Sequence, residues 1–306
     1  MIHRTTHLGG TASDIVIAKI GHGLMMMTWK PTPVSDKQAF AALRAGMDAL
    51  PPNTKMLLNS AEFYGCNPRE ANLHLIARFF EQYPEYCDKA FLSVKGGCGR
   101  KELASDSSPE NLRASVDAIL AALRGTKRLD LFETARIPRT NPIEANMAVL
   151  ASLVREGKFD HIGLSECSAR TARQVHPVAA VEIEVSPWSY ETETKNEGDF
   201  RRTLTRFQPD NMAHNQLLVS ALERLAATKG LTTAQLCIAW VSALGLHVVP
   251  LPGASAKERV LKNIAGADVG LSEDEVNEIV QVINTTGVQG GRFIDELGDA
   301  AFHHWG

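Results

Sequence analysis

Residues 14–29, DIVIAKIGHGLMMMTW, decide the fold. The run 14–21 is rich in Ile and Val, the composition of a buried strand. A dinucleotide-binding doubly wound sheet follows its first strand with a G-x-G-x-x-G turn that opens a helix. Residues 21–29 (GHGLMMMTW) are no such turn. Outward from this point, short apolar runs alternate with longer helical patterns. Strands are predicted at 55–59, 90–95, 129–134, 161–164, 178–185 and 246–250. Helices are predicted at 36–49, 68–83, 108–123, 141–156, 232–244, 255–265 and 272–282. Ser35 suits a helix cap, Ser108-Pro109-Glu110 a helix start, and Ser272 with Glu275 a capping box. Strict alternation implies an α/β chain with a parallel sheet covered by helices. With the dinucleotide turn absent, a (β/α)8 TIM barrel is the expected architecture, one domain over 1–306. Seven strand-like runs stand where such a barrel needs eight. Between Val185 and Leu246 there is polar loop and then helix, a gap of roughly one βα unit, on the order of 30 residues.

Composition narrows the function. The 306 residues are 44% apolar and 22% charged, a globular balance. A net charge of −3 leaves no basic excess to neutralise phosphates, so no nucleic-acid partner is expected. No run approaches ~18 apolar residues and the first segment lacks an apolar signal core, so neither a membrane span nor a secretory signal is expected. Cysteines at 66, 87, 98, 167 and 237 are odd in number and lack metal-type spacing. They fit the reduced thiols of a cytoplasmic protein. His22, His161 and His176 fall at strand ends without ligand spacing, so no metal is expected. Met25–Met27 read as filler or pocket lining. His303, His304 and Trp305 form a tail that either reaches the pocket or stays clear of it.

Eight stretches in order carry a resemblance: KIGHGLMMMTW (19–29), NSAEFYG (59–65), FLSVKGG (91–97), LDLFETAR (129–136), IGLSE (162–166), AAVEIEVSPWS (179–189), GDFRRTLTRFQPDN (198–211) and VVPLPGASAKERVLKN (248–263). The chain resembles the aldo-keto reductases, and among them the fungal pyridoxal-reductase type. The resemblance implies a barrel that uses NADP(H) to reduce an aldehyde or ketone, pyridoxal-like, to an alcohol by hydride transfer. It places the small carbonyl substrate at the C-terminal ends of the strands.

Hydride transfer to a carbonyl needs an acid for the oxygen, and a tyrosine beside a lysine ammonium can serve. The resemblance assigns these roles to Tyr64 and Lys95. Asn59 stands where the family has an aspartate that pairs with the lysine, and Ala135, followed by Arg136, stands where it has a histidine. Glu133 shares a strand face with Ala135 and is the candidate to replace the missing counter-ion of Lys95, the alternatives being a pair with another barrel residue or contact with water. For the cofactor the resemblance implies Thr28, Ser165, Glu166 and Glu182, a Gly253-Ala254-Ser255 helix start for anions, Arg259 for the 2′-phosphate and Asn263 for adenine. Trp29 and Trp188 are candidate pocket walls.

The family's seventh βα unit is missing here, since 186–189 (SPWS) runs through 190–195 straight toward 198–202 (GDFRR). The helix after the fifth predicted strand is also about a turn short. An incomplete gene model, a splice form and a degenerate barrel all fit. A second function therefore stays open, a catalytically impaired NADP(H)-binding sensor or regulator.

Overall fold

A computed structural model of the chain describes residues 2–99, 106–137, 142–167, 177–185 and 204–291. They fall in two compact units. One takes in the described residues up to Glu184 together with Leu251–Leu261; the other takes in those of 185–250 and 262–291.

The first unit carries a seven-stranded sheet in the order β1 to β7. Its strands are β1 (Thr5–His7), β2 (Val16–Gly23), β3 (Lys55–Ala61), β4 (Ala90–Gly96), β5 (Leu131–Thr134), β6 (His161–Ser165) and β7 (Ala180–Glu182). β1 pairs antiparallel with β2, and every later neighbour is parallel. The connections carry α1 (Met25–Thr28), α2 (Asp36–Asp48), α3 (Ala71–Gln82), α4 (Pro109–Leu123) and α5 (Ile143–Arg155). Ser35 and Ser108 cap α2 and α4 as expected, each accepting from the backbone N–H three residues on. Phe79, Phe80, Phe91, Phe132 and Phe159 are fully buried in the core.

The sheet is strongly curled. β3 and β7 are four strand spacings apart, about 19 Å in a flat sheet. Yet Asn59 Nδ2 of β3 reaches Glu182 Oε2 of β7 at 2.7 Å. The turn that follows β1 closes the opposite end. Gly9 N–H donates to the Ala179 carbonyl at 3.0 Å, and Thr11 Oγ1 and His161 Nδ1 are hydrogen-bonded at 2.9 Å. Gly10 has φ +51° there, and a Cβ would stand 2.3 Å from the Val178 carbonyl oxygen, so only glycine fits.

Three expectations change. The β1 hairpin strand lies outside the predicted set. β7 is three residues long where 178–185 was predicted, and Val181 and Ile183 stay 39% and 52% exposed. Residues 246–250 form no strand. Pro250 and Pro252 lack the N–H a ladder needs, and Leu246 is 84% exposed. The backbone link instead falls at Gly253, which bridges Gly23 at the end of β2. The described residues of the first unit thus form an α/β fold on a curled, mostly parallel seven-stranded sheet. The missing-unit region 186–203, the shortened helix at 168–176, Trp188 and His303–Trp305 lie outside the described residues.

In the second unit, α6 (Pro209–Thr228), α7 (Thr233–Ala243) and α9 (Glu273–Thr286) share a core of Leu218, Leu222, Leu236, Trp240 and Ile279. α8 (Lys257–Ala267) lies between α7 and α9 in sequence. Thr232 and Ser272 make capping boxes with Gln235 and Glu275. Among the described residues no helix is long and apolar enough to cross a membrane.

Candidate active site

Strand alternation places Asn59, Ser93, Lys95 and Glu133 on the concave face of the sheet, near the C-terminal ends of β3, β4 and β5. Asn59 pairs in register with Ser93, and Lys95 with Glu133. Glu182 reaches the same cluster from the end of β7.

Tyr64 follows β3 through a turn in which its N–H donates to the Ala61 carbonyl at 3.3 Å. A buried polar chain fixes it from behind. Ser60 Oγ donates to Asn72 Oδ1 at 2.7 Å, and Asn72 Nδ2 donates to Thr28 Oγ1 at 2.7 Å. Thr28 Oγ1 then donates to the Tyr64 carbonyl at 2.6 Å. The hydroxyl of Thr28, expected to serve a cofactor, is thereby committed to holding Tyr64. The Tyr64 ring stacks on Trp29, with centroids 5.4 Å apart, and meets Phe63 edge-on at 5.5 Å.

Lys95 Nζ lies 5.4 Å from the Tyr64 ring centroid. It donates to Asn59 Oδ1 at 2.5 Å and to both oxygens of Glu182, at 2.8 and 2.9 Å. Its ion pair therefore runs to Glu182, a residue expected at the cofactor, and not to Glu133. Asn59 Nδ2 donates to Glu182 Oε2 and, at 3.4 Å, to Glu133 Oε1. Ser93 Oγ also donates to Glu133 Oε1, whereas Oε2 of Glu133 is buried and meets no donor among the described residues.

The electrostatics follow from this packing. Burial, the largest influence on Lys95, favours loss of its proton. Glu182, then Tyr64 and Glu133, outweigh it and hold the ammonium charged above the ordinary lysine range. Burial and then the Glu182 charge push Glu133 up to about 8, against the opposing pull of Lys95 and Ser93. Tyr64 departs from expectation. Burial raises its phenol above the usual value, and the opposing Lys95 ammonium does not reverse this. The cluster holds a neutral phenol beside a fixed cation.

The remaining candidates are distributed around it. Ala135 is buried at the end of β5, its N–H donating to the Gly96 carbonyl at 2.9 Å, and Arg136 Nη1 donates to the Ala135 carbonyl at 2.5 Å. Ser165 is the register partner of Glu182. Glu166 takes φ +56° and its N–H donates to the Glu182 carbonyl at 2.7 Å. Gly253 and Ala254 meet the end of β2, where Ala254 N–H donates to Gly23 and the Ala254 carbonyl accepts from buried His22 Nε2 at 2.8 Å. The Ser255 carbonyl accepts from Gln38 Nε2 at 2.9 Å. Arg259 is exposed in the first turn of α8, with Asn263 four residues on. The structure thus brings Asn59, Tyr64, Lys95, Glu133 and Glu182 together.

The profile of the Aldo/keto reductase family matches residues 19–198 and 188–284. A probable pyridoxal reductase 2 of Schizosaccharomyces pombe is 32% identical over 323 aligned residues, covering 92% of this chain and 96% of that protein. The solved glycerol dehydrogenase of Gluconobacter oxydans superposes with a TM-score of 0.74 at 19% identity, covering 92% of this chain and 95% of its own. An aldo/keto reductase from Klebsiella pneumoniae, crystallised with NADP and acetate, gives 0.65 at 19% identity over 95% of this chain and 99% of its own.

Proposed function

The chain belongs to the aldo/keto reductase family, and from that premise we propose that it reduces an aldehyde or ketone to an alcohol with NADP(H), Tyr64 giving the proton. The observation that carries this reading is the buried Tyr64 phenol beside the Lys95 ammonium, at the C-terminal ends of parallel strands. A phenol that stays neutral is the form that can donate. The ammonium stabilises the phenolate left behind, and Asn59 and Glu182 fix where that ammonium points. Trp29, stacked on Tyr64, supplies a flat wall for a substrate such as pyridoxal, which the likeness to the S. pombe protein suggests. Arg136, beside Ala135 just after β5, is the remaining polar candidate for the substrate.

The residues present fit the cofactor in part. Gly253 is exposed and a Cβ there would meet only the Gly23 carbonyl, at 3.8 Å, so backbone is open to a ligand. Arg259 offers a guanidinium fork suited to a 2′-phosphate, and Asn263 shares its face of α8. Ser165 and Glu166 are the candidates for the nicotinamide amide, while the Glu182 carboxylate is engaged by Lys95. NADPH, when bound, supplies the hydride. We read residues 1–306 as one reductase domain on a barrel short of its seventh unit; the family profile crosses both compact units and divides at 188–198, which supports that reading.

Mixing the purified protein with NADPH and pyridoxal should consume NADPH. Tyr64→Phe should lower kcat by about 10²–10⁴-fold while NADPH fluorescence enhancement survives. Full activity in that variant would remove Tyr64 as the acid. Ala135, which donates nothing from its side chain, favours a second reading, an NADP(H) binder without turnover. Fluorescence enhancement with no loss of NADPH for any carbonyl would establish it.

A further inference from the structure

We propose that Glu133 and Glu182 form a two-carboxylate, one-proton counter-ion for Lys95, with the charge on Glu182 and the proton on Glu133. The proposal deepens the reductase reading and rests on it only for what Lys95 does; the carboxylates are positioning residues.

Geometry comes first. Both oxygens of Glu182 take the Lys95 ammonium, so one full negative charge is already matched. Glu133 is buried against the same ammonium in register, with Oε1 accepting from Ser93 and Asn59. Its buried Oε2 meets no donor among the described residues. A buried carboxylate oxygen without a donor is costly, and a proton on that oxygen removes the cost. The groups facing Glu133 are Lys95 and Ser93 on β4, Asn59 on β3, Tyr64 after β3, and Glu182 on β7. β6 presents Gly163, which has no side chain. Among the described residues one cation thus faces two carboxyls, and electroneutrality leaves one of them protonated. A hydrogen bond toward Glu182, which only the protonated form of Glu133 can donate, acts in the same direction.

Asn59 completes the argument. Its Oδ1 accepts from Lys95 while its Nδ2 donates to both carboxyls. An aspartate there would lose both donations and set a third negative oxygen against Glu133 and Glu182. The amide at 59 and the acids at 133 and 182 are mutually consistent, and the charge that a residue at 59 would carry has moved to β7.

Infrared difference spectroscopy on the protein without cofactor or substrate tests this, so its outcome is separate from any turnover assay. The wild-type protein at pH 6 should show a buried carboxylic-acid C=O band that titrates away with a midpoint of about 8. Glu133→Gln should lack it. In Glu182→Gln the charge should pass to Glu133, so the band should be gone at pH 7. Should Glu182→Gln fail to fold by circular dichroism, Asn59→Asp serves instead and should raise the midpoint. No band in the folded wild-type protein, a band that survives Glu133→Gln, a band persisting at pH 7 in folded Glu182→Gln, or an unmoved midpoint in Asn59→Asp would each overturn the proposal.

Discussion

At Asn59 the exchange of one carboxylate oxygen for an amide nitrogen turns an acceptor into a donor, and two acids gather around that donor. The consequence reaches stability. Glu133 has a folded value of about 8, against roughly 4.3 in an unfolded chain. Between those values the folded state holds a proton that the unfolded state has released. Stability therefore falls as pH rises across this window and levels off above about 8. The denaturation midpoint of the wild-type protein should drop from pH 5 to pH 8 relative to that of Glu133→Gln, whose amide does not titrate. Parallel profiles for the two proteins would show that Glu133 is ionised when folded. Much of this residue set was legible in the sequence: the resemblance singled out Tyr64, Lys95 and Asn59, and strand alternation added Glu133 beside Ala135. The partner role of Glu182 was not. Alternation in 178–185 can put Glu182 on a face, but its meeting with Lys95 depends on curl accumulated over strands β4 to β7.

Among the elements, β6 shows why the acid pair fits. Gly163 stands in register with Glu133, and a Cβ there would lie 2.6 Å from both Glu133 Cγ and Leu131 Cδ2. Neither atom is the far end of a free side chain, since Leu131 is core and Glu133 is held by Ser93 and Asn59. Gly163→Ala should destabilise by about 1–3 kcal/mol through overpacking. Gly270, with nothing within 4 Å of an added Cβ, is the control, and Gly270→Ala should stay within about 0.5 kcal/mol. Equal denaturation midpoints for the two variants would mean that β6 yields and Glu133 is loosely held. Helix boundaries were the most readable elements, because Ser35, Ser108 and Ser272 make local caps that need no tertiary context. Strands were less so. The three residues of β1 pair with β2 through the hairpin, and 246–250 has strand composition but ends at Pro250, which has no N–H, while Val248 N–H turns back to the Gly245 carbonyl.

For the whole molecule, specificity between two nearly identical cofactors is a matter of linkage. A ligand that binds only the folded chain stabilises it by about 2.7 kcal/mol at a hundred times its dissociation constant. NADPH and NADH differ by one phosphate, and the group expected to read it is Arg259, exposed in the first turn of α8. The rest of either cofactor would be served by other parts of the chain, including the backbone at Gly253 and the strand ends near Ser165. Removing the guanidinium should therefore subtract one contribution and leave the others. In thermal unfolding at matched concentrations, wild-type protein should gain more from NADPH than from NADH. Arg259→Ala should lose most of that difference while keeping the shift due to NADH. Each shift is referred to the same protein's midpoint without cofactor, so any change in the stability of the variant itself drops out. Equal loss of both shifts would mean that Arg259 holds something common to the two cofactors, and the preference for NADP(H) would then need a different cation.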